Sequence, residues 1–264
     1  MILPLLNRIL YKTNEEIQQI RESAKILALT HGEIANLIRP GVKTKDLDKR
    51  AEEFIADHQA SPSFKNFHGY PASLCISVNE VVVHGIPNDY ELKDGDIISV
   101  DCGILYKGFH SDSAYTYPVG EVQPEILNLL KTTKEALYLG IERVKAGGRM
   151  GDIGYTIQKH AESNGYSVIR ELVGHGIGKS LHESPEVPNY GTQGKGVKLQ
   201  NGLVIAIEPM INMGKRNIVQ EKDGWTIRTI DRKPSAHFEH TVALIDGNCE
   251  ILTSFEYIEK HIKI

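Results

Sequence analysis

Residues 97–117 read IISVDCGILYKGFHSDSAYTY. Two runs rich in β-branched and aromatic residues flank Tyr106-Lys107-Gly108, and Gly108 can supply the positive φ that a tight turn requires. A hairpin is therefore predicted, with strands over 97–104 and 109–117. Each strand carries one aspartate, Asp101 and Asp112, eleven positions apart. A turn closing around Tyr106-Lys107 would set the two carboxylates directly opposite, with Cβ atoms about 4.5–5.5 Å apart. A bulge would shift that register by one. A carboxylate in an apolar strand must be paired, protonated or bound to a metal. Two exposed aspartates beside a turn are the ordinary alternative, and Ile97-Ile98-Ser99-Val100 ahead of Asp101 weighs against it.

Three more residues stand in comparable settings: His175 in VGHGIG, Glu208 in IAIEPM and Glu239 in HFEHT. Each alone reads as an ordinary structural group. Together with the aspartates they make four carboxylates and one imidazole, an acidic set that cannot satisfy itself. Two divalent cations would neutralise it, and a dinuclear metallohydrolase is expected. His84 follows Val81-Val82-Val83 and precedes Gly85-Ile86-Pro87, and His182 lies seven residues after His175. The glycines around His175 argue for a loop between those two histidines rather than two helical turns. Imidazoles suit proton transfer or a hydrogen bond to a developing oxyanion. His31, His58, His160 and His261 fall in helical or terminal settings and receive no role. His68, His110, His237 and His240 lie near the motifs without an assigned one.

Further out, Thr13 and Glu16 fit a capping box. Ile17, Ile20, Ala24, Ile26, Leu27, Ile34 and Leu37 recur at near-helical spacing until Pro40-Gly41. A second helix is predicted over 44–58, and β-like runs over 74–78 and 81–84. The order then repeats: helices over 125–145, closed by Gly147-Gly148, and over 152–164, then strands over 203–207, 225–229, 237–244 and 250–253. This order predicts an α+β chain of two related halves sharing one face. No Pro/Ser-rich linker divides them, so one catalytic domain over 1–264 is expected, with 1–10 an N-terminal arm.

The chain has 264 residues, 41% hydrophobic and 24% charged, ordinary for a globular protein. A formal net charge of −4 argues against nucleic acid as the main ligand. Three cysteines without a CxxC make a disulfide framework unexpected and a cytoplasmic setting natural. The apolar run 1–10 is too short to span a bilayer, and no membrane association is expected.

These residues resemble the methionine aminopeptidases of type I, in the short bacterial form. The likeness runs from about Tyr11 to Ile258. It is carried by His68-Gly69-Tyr70-Pro71, Cys75-Ile76-Ser77-Val78-Asn79-Glu80-Val81, His84-Gly85-Ile86-Pro87, Val100-Asp101, Asp112, Gly174-His175-Gly176-Ile177-Gly178, His182-Glu183, Glu208-Pro209 and Glu239-His240-Thr241. The resemblance implies the pita-bread fold, two pseudo-symmetric halves around an antiparallel sheet. It implies removal of the N-terminal methionine of nascent proteins when the next residue is small. Asp101 would bind one metal, Asp112 and Glu239 would bridge two, and His175 and Glu208 would complete the second. A metal-bridged hydroxide would attack the scissile carbonyl, Glu208 would shuttle the proton, His182 would steady the carbonyl oxygen, and His84 would meet the scissile nitrogen. Phe67, Tyr70, Cys75, Leu181 and Trp225 would form the methionine pocket. The sequence departs from many relatives at Leu181, where they carry an aromatic residue, and at Phe64 on the pocket rim. A monovalent cation, Na⁺ or K⁺, would sit near Asn79, Val81 and Ser235.

Carboxylate and imidazole donors suit Mn²⁺, Fe²⁺ or Co²⁺, and Zn²⁺ is also compatible. The interval of 31 residues between Glu208 and Glu239 leaves no room for the helical insertion of type II relatives. Residues 215–233 hold six basic side chains against three acidic ones. The resemblance makes this loop a ribosome contact, and a solvated loop is the equal alternative. A monomer is expected. Two other readings stand beside the first. One is an Xaa-Pro metallopeptidase of the same fold, whose members generally carry an additional N-terminal domain; only about a dozen residues precede the first predicted helix here. The other is a non-catalytic binding protein of this fold, a class that typically loses metal ligands, whereas all five are present.

Overall fold

The structure, a computed structural model, describes residues 8–260 and 262. His261 and most of the N-terminal arm lie outside them. The first half runs α1 (Asn14–Ala35), α2 (Thr44–Asp57), β1 (Ser61–Pro62), β2 (Leu74–Val78), β3 (Val81–Val83), β4 (Ile97–Tyr106) and β5 (Phe109–Pro118). The second half runs α3 (Pro124–Ile141), α4 (Met150–Ser163), β6 (Ser167–Val168), β7 (Gly174–Gly176), β8 (Glu183–Val187) and β9 (Val204–Ile207). It continues through β10 (Met210–Asn212), β11 (Ile218–Gln220), β12 (Ile227–Thr229), β13 (Ser235–His237), β14 (Glu239–Ile245), β15 (Asn248–Ile251) and α5 (Glu256–Glu259).

The capping box forms as expected. Thr13 Oγ1 accepts from the Glu16 N–H at 3.2 Å, while Glu16 Oε2 accepts from the Thr13 N–H at 3.1 Å. Ile17, Ile20, Ala24, Leu27 and Ile34 then turn inward, and α1 lies across β4 and β5. A nine-stranded sheet is built from antiparallel pairs in the order β1-β4-β5-β14-β9-β7-β8, with β2 on β4 and β15 on β14. Strands from both halves meet where β5 pairs with β14. Two three-stranded sheets, β13-β10-β6 and β11-β12-β3, flank this frame.

Several boundaries differ from the sequence reading. The hairpin turns at Lys107-Gly108, both at positive φ (47° and 81°), and not around Tyr106-Lys107. Two left-handed residues match a type I′ turn, whose twist suits the flanking strands. Asp101 therefore faces Ala114, and Asp112 faces Gly103. The shift is two residues, so both aspartates keep the same face and become diagonal neighbours rather than direct partners. Helix α3 ends at Ile141, because Arg143 and Val144 bond back three residues and Val144 drops into the core. Helix α4 starts two residues early, since Asp152 Oδ2 accepts from the Arg149 N–H at 3.0 Å. The run 237–244 is broken at Phe238 into β13 and β14. His175 lies on strand β7, and the residues after Gly176 form the expected loop toward His182. A Cβ at Gly174 would meet the Ala206 carbonyl oxygen at 2.4 Å, and one at Gly176 the Ser184 oxygen at 2.4 Å. Those glycines allow close strand approach, and do not mark a turn.

Candidate active site

Strand register assembles the five predicted ligands. Ala114 on β5 pairs with Asp101 on β4 and with Glu239 on β14, so one small side chain separates two carboxylates. Asp112 lies two residues back on β5, on the same face. Glu208 follows β9 directly, and the pairing of Ile207 with His240 leads it toward Glu239. His175 reaches this face from β7, through the pairing of Gly176 with Ile205. Asp112, His175 and Glu239 each place a donor atom within 4.8 Å of the others, a set that could hold a metal ion. His175 Nε2 lies 3.9 Å from Asp112 Oδ2 and 3.7 Å from Glu208 Oε1. Backbone bonds fix the frame: the Thr241 hydroxyl donates to the Asp112 carbonyl at 2.8 Å and accepts from the Asp112 N–H at 3.0 Å. It takes the place of a ladder pair where β5 and β14 part.

The electrostatics suit bound cations. Burial raises the carboxyl pKa of Asp101, Asp112, Glu208 and Glu239, and carboxylate neighbours add to this at the last three. Burial lowers His175 to about 3, with a contribution from His182, and lowers His182 to about 4, with contributions from His84, His68 and His110. His84 is lowered by burial alone. Asp101 Oδ1, Glu239 Oε1 and His237 Nε2 are buried without a hydrogen-bond partner among the described residues. Buried oxygens without donors, in a cluster that repels itself, are a donor set suited to a cation. The residues fit the metal that the donor set implies.

A cavity of about 590 Å³ opens on this cluster. Phe64, Phe67, Tyr70, Cys75, Leu181 and Trp225 line it together with His84, His182 and all five predicted ligands. Tyr70 and Trp225 meet edge to face at 5.2 Å, and Phe67 meets His182 the same way at 5.1 Å. Phe64 fits because residue 103 is glycine: a Cβ there would meet its ring at 2.8 Å. His84 holds a left-handed backbone, φ 58°, unusual for a residue with a Cβ. Its neighbour Gly85 is locked, since the Gly85 carbonyl accepts from the Ile76 N–H and the Tyr70 hydroxyl, both at 2.8 Å.

Asn79, Val81 and Ser235 do not line this cavity. The Ser235 N–H donates to the Asn79 carbonyl at 3.0 Å, while the Asn79 side chain is engaged by Asp96 and Ile97. Sequence reasoning missed Arg8, Leu10, Leu172, Val173 and Met210, all of which line the cavity. Val173 and Met210 lie two residues from His175 and Glu208, inside motifs already singled out, whereas nothing local marks Arg8, Leu10 or Leu172. His237 was also passed over, although residues two apart in extended chain share a face, and Glu239 was already singled out.

The profile of metallopeptidase family M24 matches residues 18–246. A methionine aminopeptidase of Clostridium perfringens is 51% identical over 245 residues, covering 93% of this chain and 98% of that protein. The crystal structure of methionine aminopeptidase from Rickettsia prowazekii superposes with a TM-score of 0.92 at 40% identity, covering 94% of this chain and all of that one. A prolidase from Pyrococcus furiosus, 22% identical, shares the fold at a TM-score of 0.77, and the match spans 65% of its length. The chain belongs to metallopeptidase family M24 and, within it, to the methionine aminopeptidases, metallo-exopeptidase hydrolases of the pita-bread fold. Among the described residues no helix is long and apolar enough to cross a membrane.

Proposed function

We propose that this chain removes the N-terminal methionine from peptides and nascent proteins whose second residue is small, using two divalent cations. The observation that carries this reading is the convergence of four buried carboxylates and His175 on one wall of an apolar cavity, with buried oxygens lacking donors. Asp101, Asp112, His175, Glu208 and Glu239 would hold the cations, Mn²⁺, Fe²⁺, Co²⁺ or Zn²⁺. Bound there, the cations would lower the pKa of a water molecule and supply a nucleophile near neutral pH.

The chain's own residues do the rest. Phe67, Tyr70, Cys75, Leu181 and Trp225 surround a slender apolar side chain, and Phe64 narrows the rim. The substrate's free α-amino group lies among the carboxylates, which confines cleavage to the first residue. Glu208 takes a proton from the nucleophile and delivers it to the departing amine. His182, uncharged through burial, donates a hydrogen bond to the carbonyl oxygen as negative charge develops there. His84 faces the scissile nitrogen. Asn79, Val81 and Ser235 would support the frame through a bound Na⁺ or K⁺. The exposed Lys215, Arg216, Lys222, Arg232 and Lys233 would meet phosphate-rich RNA near the site of synthesis. One catalytic domain spanning 1–264 suffices for this chemistry.

The test is methionine release from Met-Ala-Ser, with Leu-Ala-Ser and Ala-Pro-Ala as controls, by metal-stripped protein reloaded with Mn²⁺ or Co²⁺. Metal-dependent cleavage of Met-Ala-Ser alone is expected. Cleavage of Ala-Pro-Ala in its place would move the chain to Xaa-Pro chemistry, and no cleavage with either metal would make it a binding protein.

A further inference from the structure

His237 has no part in the mechanism above, yet it is 1% exposed and faces two of the proposed ligands. Its Nε2 lies 3.7 Å from Glu208 Oε2 and 4.0 Å from Glu239 Oε2. These gaps lie just beyond hydrogen-bond distance, and Nε2 has no other partner among the described residues. His175 Nε2 approaches the other Glu208 oxygen at 3.7 Å. One imidazole therefore stands at each oxygen of the Glu208 carboxylate.

The His237 backbone is also held in place. The Thr116 hydroxyl accepts from the His237 N–H at 2.9 Å and donates to the His237 carbonyl at 2.8 Å. Thr116 is itself tied to the Ser99 hydroxyl at 2.8 Å, across β4 and β5. Pairing of His237 with Met210 fixes the other edge of its strand. The interruption of the strand at Phe238 lets His237 and Glu239 approach the site from two different strands. A buried donor with fixed backbone, aimed between two carboxylates, has the geometry of a group that orients ligands rather than one that packs.

We propose that His237 is a positioning residue, whose Nε2–H orients the Glu208 carboxylate, and secondarily that of Glu239, for metal binding and proton transfer. The inference rests on the metal reading of this cluster. It assigns His237 no contact with substrate. Loss of the donor should loosen the cation and slow turnover, and leave substrate affinity alone.

Two polar variants test it, both compatible with a buried polar site. In His237→Gln the amide reaches about as far as Nε2; in His237→Asn it falls short. Mn²⁺ is titrated calorimetrically into the metal-free chain, and kcat and KM are measured with Met-Ala-Ser. His237→Asn should bind Mn²⁺ about 10–100-fold more weakly, the usual effect of removing a group that supports metal ligands. Its kcat should fall to a similar extent with KM unchanged. His237→Gln should restore both to within about threefold of the starting protein. Equal Mn²⁺ affinity in His237→Asn and the unaltered chain would overturn the positioning role alone. So would equal impairment of the Gln and Asn variants, which would make the ring a packing group. No Mn²⁺ binding by the unaltered chain would instead sink the metal reading on which the inference stands.

Discussion

The two halves supply their share of the site in different ways. Asp101 and Asp112 stand on one ten-residue-per-strand hairpin, closed by a two-residue turn and backed by α1. His175, Glu208 and Glu239 come from three short strands, β7, β9 and β14, separated by up to thirty-odd residues of chain. In the first half one local structure fixes the distance between ligands. In the second, position depends on long-range register and on glycines that let backbones touch. The first half is therefore a rigid platform, and the second is the part most sensitive to small backbone errors.

The largest expected effect is symmetrical, and it would break the contrast if it were not. Asp101→Ala and Glu239→Ala should each lower kcat/KM for Met-Ala-Ser by about 10³-fold or more, since metal activation contributes several kcal/mol and each 1.36 kcal/mol is tenfold. Circular dichroism should show a retained fold in both. Activity near that of the unaltered chain in either variant would remove that residue from the site.

Glycine substitutions sharpen the difference between halves. At Gly176 an added Cβ meets the backbone of Ser184, which cannot give way. Gly176→Ala should shift His175 and lower turnover by about 10–100-fold. At Gly103 the added Cβ meets the Phe64 ring and Ser63 side chain. Gly103→Ala should cost about 1–3 kcal/mol of stability by overpacking, raising KM more than it lowers kcat. Comparable kinetics for the two variants would erase the distinction between platform and register.

A pH series probes the carboxylates of both halves together. Burial raises Asp101 to about 7, and Asp112, Glu208 and Glu239 also lie above their ordinary values. A raised carboxyl pKa means protons must leave before a cation binds, so Mn²⁺ affinity rises with pH until those groups have ionised. Affinity at pH 5.5 should be about tenfold or more below that at pH 7.5, with proton release on binding. A flat calorimetric profile would show that the carboxylates do not titrate in this range. The smallest effect belongs to the joint between halves. Thr241→Val leaves the Asp112 N–H and carbonyl without their partner, at a cost of about 1–3 kcal/mol in thermal unfolding. A melting temperature unmoved by the change would show that β5 and β14 need no such clasp.

What could be read from the sequence follows the same division. Strands 74–78 and the first helix were legible because period, caps and β-branched runs are local signals. The aspartate pair was legible for the same reason, although the Lys107-Gly108 turn moved its register by two. On the second half, the glycines around His175 announce the loop toward His182, but nothing local shows that Gly174 and Gly176 lie on a strand pressed against the Ala206 and Ser184 backbones. The break at Phe238 has no local mark, and the His237 backbone is held by Thr116, over a hundred residues away. The apolar cavity wall was legible in part only through family likeness, since Arg8, Leu10 and Leu172 reach it by folding alone.

The most direct test of a shared metal centre is a calorimetric count of Mn²⁺ bound per chain in the unaltered protein, Asp101→Ala and His175→Ala. Two ions in the unaltered protein and one in each variant would place Asp101 and His175 on different cations of one centre shared by both halves. No binding by the unaltered protein, or two ions still bound in both variants, would contradict it.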